Sequence, residues 1–188
     1  MLSSTIIALF AVTIAASPAI NIKTPRDDLQ PWQITTLYTH SPSGRPGNDL
    51  HLTLNATIVD PNTLPVAQTP TGTAVFPSST ANCSAQWLSR DDIPLGVELP
   101  CTPIEFGHWT MKLLPGDGET GTGATTNFGL EFKLVDNVTV LGRVYTRTFT
   151  GEGKFKVGDN LSGTCGGSGV CNWGLTTRPY LMTQTEQS

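Results

Sequence analysis

Charge is scarce in this chain. Asp, Glu, Lys and Arg make up 14% of its 188 residues, and 15 acids against 11 bases leave a mild net charge of −4. No basic stripe is present, which excludes nucleic acid as an expected partner. Long hydrophobic runs are also missing. The single apolar run, Ile6 to Ile14, is too short for a membrane span of about 20 residues, so no membrane partner is expected. There is no CxxC pair, no His-rich tract and no DxDxDG loop, so neither a metal site nor a cofactor is expected. No GxSxG elbow marks a nucleophile. No apolar stripe of period 3.6 is long enough for a helix.

The short apolar run is followed by Ala15-Ala16-Ser17-Pro18-Ala19, the h-region and cleavage region of a secretory signal peptide. A buried N-terminal strand or helix is the alternative, because no Lys or Arg precedes Lys23. Residues 1–19 are read as the signal, 20–31 as a flexible lead-in, 32–182 as one domain and 183–188 as a tail. About 170 residues remain after cleavage, enough for a single core. Secretion places the four cysteines, Cys83, Cys101, Cys165 and Cys171, in an oxidising compartment that favours disulfides. Four cysteines allow three connectivities. The Gly-rich segment between Cys165 and Cys171 can close a tight loop. Pairing Cys83 with Cys101 and Cys165 with Cys171 would contribute roughly 3 and 2 kcal/mol by chain entropy, an account that by itself favours longer-range pairing.

Thr, Ser, Gly and Pro are abundant, as in turn-rich β proteins, and period-2 alternation recurs along the chain. Trp32 to Tyr38 reads as a strand, as do Leu50 to Thr57, Asn82 to Leu88, Trp109 to Leu113 and Phe128 to Leu134. Val138 to Phe149 reads as a strand interrupted by Gly142, Lys154 to Val157 as a short edge strand, and Cys171 to Leu181 as the last strand. Pro61 to Ala81 is read as a long loop with at most one short strand at Ala74-Val75-Phe76. The expected fold is all-β: one compact antiparallel barrel or sandwich of about eight strands.

Chemistry-bearing residues do not cluster in the sequence. His40, His51 and His108 fall on turns or solvent faces, and Asp91-Asp92 and Asp117-Gly118-Glu119 lie in loops. No catalytic residue is therefore assigned, and the chain is read as a non-enzyme. A carboxylate pair converging in a cleft would revive a hydrolase reading, and dispersed acids would end it. Trp32, Trp87, Trp109 and Trp173, with Tyr38, Phe132 and Tyr145, fall on strands and are read as core, the alternative being an aromatic-lined pocket or patch. Four N-x-S/T sequons occur. Asn55, Asn137 and Asn160 are the glycan candidates, while Asn82, beside Cys83, is disfavoured.

The leader, Trp32-Gln33-Ile34, Cys83-Ser84-Ala85-Gln86-Trp87, the Pro100-Cys101 step, Trp109 and the Cys165/Cys171 pair together resemble the Alternaria alternata major-allergen-like family of secreted fungal proteins. The likeness spans Trp32 to Met182. It implies a compact β-barrel with disulfides Cys83–Cys101 and Cys165–Cys171, and a role at the host interface. Members of that family act as allergens, elicitors or effectors, and some bind plant defence proteins or flavonol-type ligands. The founding allergen has an extra N-terminal cysteine that links two chains. No cysteine precedes Cys83 here, so a monomer or non-covalent dimer is expected, and Pro61 to Pro77 reads as an insertion. The expected function is that of a secreted effector or elicitor that binds a host extracellular defence protein without chemistry of its own. The alternatives are a carrier of a small aromatic ligand and a cell-wall structural protein.

Overall fold

The computed structural model describes residues 29–118 and 121–187; the expected signal peptide, residues 20–28 of the lead-in, Glu119 and Ser188 lie outside them. Thirteen strands and no helix are present among the described residues. They are β1 (Trp32–Ser41), β2 (His51–Asp60), β3 (Leu64–Thr69), β4 (Gly72–Phe76), β5 (Ser79–Leu88), β6 (Glu98–Pro100) and β7 (Gly107–Pro115). These are followed by β8 (Asn127–Val140), β9 (Arg143–Lys156), β10 (Leu161–Cys165), β11 (Cys171–Leu175), β12 (Tyr180–Met182) and β13 (Gln184–Gln187).

Two antiparallel sheets pack face to face. The first runs β10-β11-β1-β2-β5, with β12 paired to the start of β1, and the second runs β13-β9-β8-β7-β6. Among the described residues no strand pairing joins the two sheets, so the architecture is a sandwich and the barrel closure implied by the resemblance does not occur. Period-2 alternation turns Leu54, Ala56 and Ile58 of β2 and Cys83, Ala85 and Trp87 of β5 toward Trp109, Met111 and Leu113 of β7 and Leu130, Phe132 and Leu134 of β8. Trp32 and Trp109 meet edge-on in this core with ring centroids 4.6 Å apart.

Several boundaries differ from the sequence reading. The alternation of β1 holds only to Ile34, because a bulge between Ile34 and Thr36 shifts the register and turns Leu37 and Thr39 inward. The presumed loop from Pro61 to Ala81 contains the hairpin β3–β4 and the start of β5. Gly142 does not interrupt one strand but separates two. Leu141 and Gly142 both take positive φ (49° and 77°), as the two-residue hairpin turn joining β8 to β9 requires. Lys154 and Lys156 belong to the long β9, and Cys171 to Leu181 divides into β11 and β12. The presumed tail forms β13, which pairs with β9 from Gln184↔Gly151 to Gln187↔Thr148. The end of the presumed lead-in is also structured. Leu29 packs on the core, and the Gln30 N–H donates to Asn62 Oδ1 at 2.9 Å.

Both disulfides form, Cys83–Cys101 and Cys165–Cys171. They do different work. Cys83 lies on the inward face of β5 in the first sheet, whereas Cys101 follows β6 and its N–H donates to the Trp109 carbonyl of β7 in the second. This bridge therefore staples sheet to sheet. Cys165 and Cys171 are direct cross-strand partners, and their bridge closes the β10–β11 hairpin.

Candidate functional site

The two outward faces of the sandwich differ in chemistry. The second sheet is striped with charge. Lys112 Nζ donates to Glu131 at 2.6 Å and Lys133 Nζ to Glu98 at 3.0 Å, while Lys154 at the rim pairs with Asp117 at 2.7 Å. These bonds hold the Glu98 and Asp117 carboxyls below their ordinary range and the Lys112 and Lys154 ammoniums above theirs.

The outward rows of the first sheet are built from neutral residues. Its registers align Ser162, Gly174, Tyr38, Asn55 and Ser84 in one row, and Thr164, Asn172, His40, Thr53 and Gln86 in the next. Thr36, Thr57 and Asn82 form a third row, and Leu181, Gln33, Val59 and Thr80 a fourth. Not one of these side chains is an acid, a lysine or an arginine. The guanidinium of Arg178 borders this face, its Nη2 3.8 Å from where a Cβ would stand on Gly174.

Tyr38 stands in the middle of this face, 46% exposed. Asn172 holds it: Oδ1 accepts from the Tyr38 hydroxyl at 2.5 Å and from His40 Nδ1 at 2.8 Å. A half-exposed tyrosine with its hydroxyl anchored is pre-organised for contact, because little rotamer entropy remains to be lost. The bulge in β1 makes this possible. Without its register shift Tyr38 would share the inward parity of Trp32 and Ile34.

The remaining expected residues are placed apart. Trp32, Trp87 and Trp109 are buried and Trp173 is half-buried, and none of the four lines the cleft at Asp136 or the groove at Gly153. His51 bonds Asp49 at 2.6 Å, and His108 is exposed on β7. Asp91 lies 3.9 Å from Arg90 in a turn. Among the sequons, Asn55 and Asn137 are exposed. The Asn160 amide is engaged at both ends, accepting from the Lys156 N–H and donating to the Lys154 carbonyl. Asn82 Oδ1 accepts from Thr57.

Two acids absent from the sequence reading do converge. Asp60 ends the inward row of β2 and Asp136 follows Leu134 in that of β8, each 3% exposed. Carrying the period-2 pattern one step past Ile58 and past Leu134 finds both. Asp60 is satisfied, since its Oδ1 accepts from the Asn62 N–H at 2.9 Å and from the Asn62 side-chain amide. Asp136 faces a cleft of about 370 Å³ lined by Pro77, Ser79, Pro103, Ile104, Glu105 and Phe106 among others. Burial raises its carboxyl to about 7, helped by the charge of Asp60 and opposed by Arg147. Asp60 does not line the cleft, and the carboxyls that do are those of Asp136 and of the exposed Glu105. No group of three or more His, Cys, Asp or Glu able to hold a metal occurs among the described residues.

Compared with known protein families, with characterised proteins and with solved structures, the chain finds no match. The likeness to the Alternaria family stands on the residues quoted for it alone.

Proposed function

We propose that this chain is a secreted effector or elicitor, and that it acts without chemistry of its own by docking its neutral sheet face on an extracellular host defence protein. The observation that carries the reading is Tyr38, exposed and hydrogen-bonded in place at the centre of a face without acids or lysines. Depletion of charge at the centre, with a Tyr and an Arg as anchors, is the composition of protein–protein interface cores. Arg178 beside Gly174 and the exposed Leu181 extend the patch. The leader and the disulfides support an extracellular setting, and the family resemblance supports the host interface.

The test is a pull-down from plant extracellular fluid with the native chain and with Tyr38→Ala. One recovered protein, held at least about tenfold more weakly by the variant, is the expected result. Equal recovery by both, or none above a reduced and unfolded control, overturns the reading. A glycan on Asn55 would stand directly beside Tyr38, so glycosylated chain is expected to bind worse than Asn55→Gln.

One observation favours a second reading, a carrier of small aromatic molecules. Beside the end of β9 lies a groove of about 600 Å³, floored by Gly129 and Gly153 and walled by Leu114, Pro115 and Tyr180. Bare glycine backbone next to a tyrosine offers a flat surface for a planar ring. Saturable tryptophan quenching by a flavonol, lost in Gly129→Val, is the expected signature. Quenching unchanged in that variant dismisses it.

A further inference from the structure

We propose that the cleft at the Asp136 end of the sandwich is a binding site for an alkylammonium group, with the Asp136 carboxylate as its counter-ion. This site is separate from the neutral sheet face. Asp136 is 97% buried and lines the cleft, yet no hydrogen bond or ion pair to its carboxyl is found among the described residues. A buried acid without a partner costs several kcal/mol in any molecule that leaves it so.

The neighbours do not satisfy it. Arg147 is the direct cross-strand partner of Asp136, but its guanidinium lies 3.0 Å from Glu186 of β13. Asp60 of β2 is bonded to Asn62 and adds negative charge. Glu105, exposed at the rim, adds more. The charge of Asp60 acts on Asp136 against that of Arg147, and with Glu105 at the rim the carboxyls at the cleft favour a cation over an anion.

The walls define the kind of cation. Pro77, Pro103, Ile104 and Phe106 offer apolar contact for an alkyl stem, while the Ser79 hydroxyl already accepts from Trp109 Nε1 at 3.0 Å. A bare metal ion would require several converging oxygen ligands, and the cleft's carboxyls are the buried Asp136 and the exposed Glu105 at the rim. An ammonium on a slim carbon chain needs one carboxylate and an apolar sleeve, and the cleft has both. Binding moves Asp136 to its ionised form and releases a proton near neutrality, so affinity falls about tenfold from pH 8 to pH 6.

The experiment is an NMR titration of the folded, disulfide-intact chain with 1,4-diaminobutane and, separately, with Nα-acetyl-lysine methylamide, following the Asp136 carboxyl carbon. Saturable shifts, a lowered Asp136 titration midpoint and at least tenfold weaker binding by Asp136→Asn are expected. Asn is isosteric and removes a buried charge, so a melting temperature equal to or above that of the native chain separates lost binding from lost fold. Tighter binding of the diamine assigns the site to a free amine, and tighter binding of the blocked lysine to a basic side chain of a partner. Tyr38→Ala leaves the titration unchanged, which keeps this outcome distinct from that of the sheet face. No saturable shift with either probe, or equal affinity in Asp136→Asn, overturns the proposal.

Discussion

Asp136 shows how one side chain can set the pH response of a fold. Its carboxyl titrates near 7 in the native state and near 4 when unfolded. Between those values the native chain binds the extra proton, so stability falls as pH rises from about 4 to 7 and then levels off. Asp136→Asn lacks that loss. It is expected to match the native chain at pH 4 and to exceed it by roughly 2–4 kcal/mol at pH 8, read by urea denaturation at the two pH values. An unchanged difference between the two pH values would contradict this. Gly151 makes the steric counterpart. A Cβ there would stand 2.8 Å from the Thr183 carbonyl oxygen and 3.2 Å from the Trp32 ring. Gly151→Ala is expected to cost about 1–3 kcal/mol through forced backbone movement, measured as a lower denaturation midpoint.

At the scale of elements, the two disulfides carry unequal weight. Cys83–Cys101 joins the two sheets across an 18-residue separation, and Cys165–Cys171 closes a hairpin across 6. Cys83→Ser is expected to cost about 3 kcal/mol and Cys165→Ser about 2, with the larger drop in melting temperature for the first. Equal melting temperatures would contradict the ranking. Reducing only the hairpin bridge should also loosen Asn172, next to Cys171, and with it the anchor of Tyr38. The strands themselves were legible wherever alternation was strict, as in Leu50 to Thr57 and Phe128 to Leu134. They were not legible where pairing overrode composition. The short strand expected at Ala74-Val75-Phe76 lies in β4, but its partner β3, interrupted by Pro65, and the wholly polar β13 were missed, and these become strands because β3 pairs with β4 and β13 with β9.

The whole molecule is asymmetric, one sheet face striped with ion pairs and the other neutral. A partner docked on the neutral face should be nearly indifferent to salt, because screening weakens only charge–charge attraction. Raising NaCl from about 50 to 500 mM is expected to change the dissociation constant less than about threefold, measured by surface plasmon resonance. A steeper dependence would move the contact to the charged sheet. The candidate surface was only partly legible. Tyr38 was read as a core aromatic together with the tryptophans, because the bulge that turns it outward depends on β1 pairing with β2. Asp60 and Asp136 escaped notice for a related reason. They lie 76 positions apart in the chain and meet only when β2 and β8 are stacked.

The sequence by itself determined the class of fold, through period-2 alternation and turn residues, because the pleat repeats every two residues. The four cysteines left three connectivities open, and the pairing that the family resemblance implied is the one the structure forms. The tertiary structure alone decided that the sheets form a sandwich and that one outward face is neutral. It also decided that a buried, unsatisfied carboxyl looks into a cleft. Those properties belong to registers and to the stacking of sheets, and they depend on contacts between residues that the chain keeps far apart.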